Sequence, residues 1–203
     1  MLHVALTGNV AAGKSAVAGH FREWGATVLD ADAIVRGLQQ PGTPVFDAIV
    51  ARFGRGILAA DGTLQRGALR ALILRDPQAR RALEAIVHPA VEAERQRLLL
   101  SARGPADSIV VSEIPLLFEV MDPEGFDAVV LVDAPEAVRL ERLRRERGLA
   151  GPEAGALVAA QQPSGPKRAR ADHVIDNDSS HEALRDAAWR VWRKLVSRAR
   201  ARA

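Results

Sequence analysis

Along this chain, short, mainly apolar runs alternate with stretches in which apolar residues recur every three or four positions. The runs at 3–7, 26–29, 109–112, 128–132 and 173–175 have the length and Val/Leu/Ile content of strands. Strands of that kind separated by helices predict an α/β fold with a parallel sheet covered on both faces. After the first run, Val17, Phe21 and Trp24 fall at helical spacing and Gly25 follows as a stop, giving one right-handed βαβ unit. Between the second and third runs, from about 41 to 104, only helical patterns occur, at 45–53, 65–74, 78–87 and 90–102. So long a strandless interruption is a candidate substrate-binding region. A second unusual segment, about 144–170, mixes Gly148, Gly151, Pro152, Gly155, Pro163, Gly165 and Pro166 with arginines, which suggests a mobile lid. From His181 onward, Leu184, Ala188, Val191, Trp192 and Leu195 share one helical face. Trp189, Trp192 and Leu195 are expected to dock that helix onto the sheet rather than to stack on bases.

Length and composition narrow this picture. With 203 residues, 48% of them hydrophobic, the chain can bury one substantial core, so a single domain with insertions is expected. There is no cysteine, which excludes disulfides, thiolate nucleophiles and thiolate-held zinc. Met1 leads straight into the first strand and no apolar run approaches membrane-spanning length, so a soluble, cytoplasmic protein without a membrane partner is expected. The net charge of +3 is small, and the isoelectric point near 10.1 mostly reflects arginine. Neither requires nucleic acid, and anionic small molecules suit the balance equally well.

The chemistry begins directly after the first strand. Gly8 to Ser15 read Gly-Asn-Val-Ala-Ala-Gly-Lys-Ser, a complete G-x-x-x-x-G-K-S phosphate-binding loop between a strand and a helix. Such a loop turns successive backbone N–H groups, and the positive end of the following helix, toward phosphate oxygens. Lys14 would bridge the β and γ phosphates of ATP, and the Ser15 hydroxyl would ligate the accompanying magnesium. Of the 28 basic residues only Lys14, Lys167 and Lys194 are lysines, so a point charge stands at Lys14 in a chain that otherwise favours the wider guanidinium. Asp30 and Asp32 follow the second strand, at the sheet edge where α/β ligands bind. Asp30 reads as the cap of a helix over 31–38, and Asp32 as the carboxylate that orients an acceptor hydroxyl and takes its proton. Glu113, ending the third strand, fits the water- or metal-orienting carboxylate of phosphoryl-transfer enzymes. His88, before Pro89 at an expected helix junction, reads by itself as structural.

Taken together, ALTGNVAAGKS, VLDADAIVR, ADGTLQR, IVHP, EIPLLFE, VVLVDAPE, AAQQP and KRARADHVIDN resemble the dephospho-coenzyme A kinase family over nearly the whole chain. The resemblance implies a P-loop kinase with a five-stranded parallel sheet of order 2-3-1-4-5, a helical coenzyme A region after the second strand, and a lid. It implies transfer of the ATP γ phosphate to the ribose 3'-hydroxyl of dephospho-coenzyme A, with Asp32, Lys14 and Arg142 at the reacting phosphate. By position Gly8, Ala11, Ala12, Gly13, Lys14, Ser15, Ala16, Asp176 and Asn177 would hold ATP, with Ser15 on magnesium. Asp32, His88 and Glu113 would face the substrate. A monomer is the expected state. The chain departs from the family where Asn9 and Ala11 each stand in place of a customary glycine, Ala12 of a serine and Ala16 of a threonine. The lid arginine before AAQQP reads Leu157, and an expected Arg-Asp-Gly reads Glu146-Arg147-Gly148, leaving Arg142, Arg145 and Arg147 as alternatives for the phosphate clamp. Competing readings are another small-metabolite or nucleoside monophosphate kinase and a nucleic-acid-binding NTPase using the basic tail. A switch GTPase ranks lower, since no N-K-x-D motif is present.

Overall fold

The computed structural model describes residues 1–102, 104–120 and 122–203. In chain order the elements are β1 (Leu2–Thr7), α1 (Lys14–Glu23), β2 (Thr27–Asp30), α2 (Ala31–Leu38), α3 (Pro44–Phe53), α4 (Arg66–Arg75), α5 (Pro77–Ser101), β3 (Ile109–Glu113), α6 (Leu117–Val120), β4 (Ala128–Asp133), α7 (Glu136–Arg147), α8 (Gly151–Ala159), α9 (Ser164–Arg170), β5 (His173–Asp176) and α10 (His181–Arg200). Two compact units emerge, one of Met1–Leu29 with Ala102–Ala203 and one of Asp30–Ser101.

In the first unit, the described residues form a five-stranded parallel sheet of order β2-β3-β1-β4-β5. This is the order the family resemblance implies. Register explains why the chemistry gathers at one edge. Leu6 pairs with Glu113, Thr7 with Leu131, and Asp133 with Asp176, so the strand ends that precede the phosphate loop and carry these carboxylates lie side by side. Alternate residues of the central strands serve opposite faces. Leu2, Val4 and Leu6 of β1 with Val130 and Val132 of β4 meet Val17 and Phe21 of α1 and Leu184, Ala188 and Leu195 of α10. Ala5 and Val129 instead meet Leu117 and Phe118 of α6. Burial on both faces is why these strands read as continuous apolar runs. Ser180 caps α10, accepting from the Ala183 amide at 3.2 Å. Trp192 is buried against Phe21 with ring centroids 5.6 Å apart, as expected for docking. Trp189 is different, meeting Trp24 edge-on at 4.9 Å but remaining 43% exposed.

The second unit packs helices around Val45, Phe46, Ile49, Ile57, Leu64, Leu69 and Val87. α2 spans the residues expected of it, and Asp30 is its cap, accepting from the Ala33 amide at 2.9 Å. The structure corrects the expected break at His88-Pro89, since α5 runs through it unbroken. Pro89 removes one backbone donor. However, Leu83, Ile86 and Val87 before it and Ala90 and Val91 after it pack on the same cluster, which holds the helix in one piece.

The segment expected as a Gly- and Pro-punctuated lid is largely helical. Gly148 takes the left-handed conformation that ends α7, and Pro152 lies in the first turn of α8. Pro163 is the N-cap residue of α9. Apart from Gly155, which lies inside α8, punctuation here marks helix ends, which favour these residue types.

Candidate active site

The phosphate loop fills the turn from β1 into α1. Gly8 and Gly13 are fixed by space, because a Cβ would lie 2.1 Å from the Val132 carbonyl oxygen at Gly8 and 2.1 Å from Asn177 Nδ2 at Gly13. Gly13 also has φ +98°. Ala11 has φ +57°, alone among the described non-glycine residues in being positive, at one of the positions where the resemblance led to an expected glycine. The left-handed conformation costs an alanine roughly 1–2 kcal/mol, so the loop keeps the shape of a phosphate nest at the expense of strain. Lys14 Nζ donates to the carbonyls of Gly8 at 2.9 Å and Asn9 at 3.0 Å, lying back across the loop. The Ser15 hydroxyl donates to Glu113 Oε1 at 3.2 Å, bringing together the two oxygen donors suited to a divalent cation. Among the described residues no group of three or more His, Asp or Glu side chains could hold a metal by itself.

A cavity of about 360 Å3 opens beside the loop, lined by Ala11, Gly13, Lys14, Ser15 and Ala16 together with Arg142, Arg145, Glu146, Arg147, Asn177 and His181. Its charge is predominantly positive, suited to a polyphosphate. Arg142 reaches in from α7. Its Nη1 donates to the Ala11 carbonyl at 3.2 Å, and its Nη2 to both the backbone oxygen and Oδ1 of Asn177 at 3.1 Å. Asn177 Nδ2 in turn donates to the Ala12 carbonyl at 2.8 Å. Arg142 is therefore not spent on its own helix, whereas Arg145 pairs with Glu146 at 3.1 Å.

Several expected positions separate on inspection. Gly8, Gly13, Lys14, Ser15, Glu113, Arg142 and Asn177 converge at the sheet edge of the first unit. Asp176 points elsewhere, pairing at 2.6 Å with Arg168, which also takes Asp133 at 2.9 Å. The two carboxylates push the Arg168 guanidinium further above its ordinary pKa, against the burial that opposes them. Asp32 and His88 belong to the second unit. Asp32 lies exposed in the first turn of α2. His88 is exposed on α5.

The sequence reading missed the contacts that bind α8, α9 and the turn between them to the loop and to the end of β4. Gln161 Oε1 accepts from the Val10 amide at 2.7 Å, Ser164 donates to Asp133 at 2.7 Å, and Lys167 Nζ donates to Asn9 Oδ1 at 2.6 Å. Leu143, Ala154 and Val158 pack against Val10 and Ala11 on the same side. The scarcity of lysine could have marked Lys167 as it marked Lys14. Nothing in spacing marks Gln161.

This geometry has relatives. A family model described as dephospho-CoA kinase matches residues 2–183. A dephospho-CoA kinase of Symbiobacterium thermophilum is 46% identical over 191 residues, covering 93% of this chain and 80% of its own length. Among solved structures, TT1252 of Thermus thermophilus is 34% identical with a TM-score of 0.80, covering 96% of this chain and 97% of its own. The dephospho-CoA kinase of Campylobacter jejuni, 23% identical with a TM-score of 0.70 and the same coverage of both chains, shares the fold. A phosphate loop at the head of a 2-3-1-4-5 sheet, with a family match that runs on through the helical unit to the start of α10, leaves one assignment: the chain belongs to the dephospho-CoA kinase family.

Proposed function

We infer that this chain is an ATP-dependent kinase that phosphorylates dephospho-coenzyme A, the last step of coenzyme A biosynthesis. The observation that carries the reading is the family match across 2–183 joined to an intact phosphate loop whose lysine and serine stand at the strand edge. Within it, we assign the acceptor as the ribose 3'-hydroxyl and the roles as follows. Backbone amides of Gly8 to Ala16, with Lys14, receive the β and γ phosphates, and Arg142 meets charge that spreads over the transferring phosphoryl oxygens. Asp32, exposed and without a hydrogen bond or ion pair among the described residues, takes the hydroxyl proton. Asn177 borders the nucleotide, with Asp176 stiffening the adjoining turn through Arg168. The helical region about 41–104, including His88, receives the coenzyme A moiety, and the segment about 144–170 serves as the lid.

Magnesium fits the donor set. Ser15 and Glu113 offer hard oxygens, too few for a protein-only cage, as expected of an ion that arrives with ATP and keeps its phosphate and water ligands. When bound it would neutralise phosphate charge. Glu113 thereby takes the metal-orienting part of its expected role. Among the described residues no helix is long and apolar enough to cross a membrane. A cytoplasmic monomer acting on a small molecule is our assignment.

ATP consumption measured with dephospho-coenzyme A, gluconate, shikimate and nucleoside monophosphates side by side tests the reading. Turnover is expected with dephospho-coenzyme A alone. Preference for any other acceptor overturns it.

A further inference from the structure

Lys167 takes no part in the reaction as described, yet it is among the most deeply buried side chains of the sheet unit, at 1% exposed. Its Nζ donates to Asn9 Oδ1 at 2.6 Å and pairs with Glu119. Taking an ammonium and a carboxylate out of water is costly unless every lone pair is satisfied, and Glu119 Oε2 is buried without a partner. As a stability device the arrangement is poor.

What it does is fix one peptide of the phosphate loop. The Asn9 side chain is held at both ends, Oδ1 by Lys167 and Nδ2 by the Gln162 carbonyl and Ser164 Oγ, each at 3.3 Å. The Asn9 carbonyl is thereby aimed at Lys14 Nζ and at the Ala12 amide, which it accepts at 3.0 and 3.1 Å. We propose that Lys167 is a positioning residue for phosphoryl transfer, which acts through Asn9 to set the shape of the phosphate loop and the starting position of Lys14. The link spans 158 residues of sequence and ties the loop directly to α9. A loop so anchored loses little freedom when phosphate arrives, so the anchor contributes to ATP affinity and alignment rather than to the fold alone. The proposal rests on the loop being the ATP site, a point that wild-type turnover checks independently.

The test is a cycle of three variants. Asn9→Ala removes the link and leaves Lys167 with Glu119. Lys167→Met on its own would strand the Glu119 charge, so it is made together with Glu119→Gln. Both are then combined in a third protein. Asn9→Ala and Lys167→Met/Glu119→Gln should each raise KM for ATP and lower kcat/KM for ATP about tenfold, the size expected of groups in one hydrogen-bond network. KM for dephospho-coenzyme A should stay at its wild-type value, a split that a general loss of structure would not produce. In the combined variant Asn9→Ala should add almost nothing, because its partner is already gone. Wild-type kcat/KM in a folded Asn9→Ala protein overturns the proposal, as do effects that multiply in full in the combined variant. If the Lys167→Met/Glu119→Gln protein does not fold, Asn9→Ala alone decides.

Discussion

The sheet unit and the helical unit bury their apolar side chains to different depths. In the sheet unit Leu2, Val4 and Leu6 of β1, Val130 and Val132 of β4, and Leu195 of α10 are completely buried. The helical cluster reaches that depth among its described residues at Ile49, while Leu83, Ile86 and Val91 stay partly exposed. Its outer surface is instead laced with short-range ion pairs such as Arg80–Glu84 and Glu94–Arg97, solvent-accessible pairs that contribute little. The two units divide the labour. Polyphosphate recognition needs groups fixed to a fraction of an ångström, and the loop that supplies them is rooted in the deep core. The region proposed to receive the coenzyme A moiety has a shallower core, so a lower free energy of local opening is expected there.

The largest effects are expected at the proposed reacting groups, whatever the depth of the core beneath them. Lys14→Ala should abolish measurable turnover and weaken ATP binding, and Lys14→Arg should restore little, because a planar fork cannot replace a point charge in a loop this tight. Asp32→Asn, in the shallow unit, should lower kcat by about two to four orders of magnitude with ATP affinity nearly intact. Steady-state kinetics alongside nucleotide binding checks both. An Asp32→Asn enzyme with wild-type kcat would confine catalysis to the sheet unit.

Within the sheet unit, Arg142 and Arg145 of α7 differ in what they hold. It is expected to serve the transferring phosphate, so Arg142→Ala should lower kcat far more than it changes ATP affinity, by about three orders of magnitude. Arg145→Ala removes only an exposed ion pair with Glu146 and should be mild. Should Arg145→Ala prove the crippled variant, the clamp lies one turn further along α7.

Depth itself is tested by truncation. Leu195→Ala should cost about 2–5 kcal/mol in chemical denaturation, whereas Leu83→Ala, starting partly exposed, should fall at or below the bottom of that range. Equal losses would erase the contrast between the units.

Much of this arrangement is legible in the sequence, and what is not has physical causes. The apolar runs that mark the strands, the helical spacing of Leu184, Ala188 and Leu195, and the Asp30 cap all rest on local rules and appear where expected. α5 misleads because Pro89 argues locally for a break, while its packing partners lie far along the chain. The lid segment reads as punctuation because the same Gly and Pro residues that interrupt a pattern also begin and end helices. The deepest gap is the polar network around the loop. Asn9 and Lys167 are separated by 158 residues, and a hydrogen bond at that distance leaves no periodicity to read. Asn9 registers in the sequence only as a departure from a customary glycine, and its amide turns out to be engaged at both ends.

The second departure, Ala11, yields the smallest effect and the finest comparison. The same chemical change made in two parts of the sheet unit should give results of different size. Ala18 lies buried within α1, and there Ala→Gly should cost about 1 kcal/mol through added backbone freedom in the unfolded chain, with lost packing on top. At Ala11 the φ of +57° reverses the balance, since glycine relieves roughly 1–2 kcal/mol of left-handed strain and so offsets the same entropic loss and that of a methyl packed near Leu143. Ala11→Gly should therefore leave stability within about 1 kcal/mol of wild type. Ala11→Val, with a branch at Cβ where φ is positive, should destabilise clearly and weaken ATP binding, because the loop must abandon its shape to accommodate it. Thermal melts of the three variants, read against ATP affinity, decide the matter. An Ala11→Gly protein as destabilised as Ala18→Gly would mean that Ala11 carries no strain and that the loop's shape is set entirely by its glycines and its anchors.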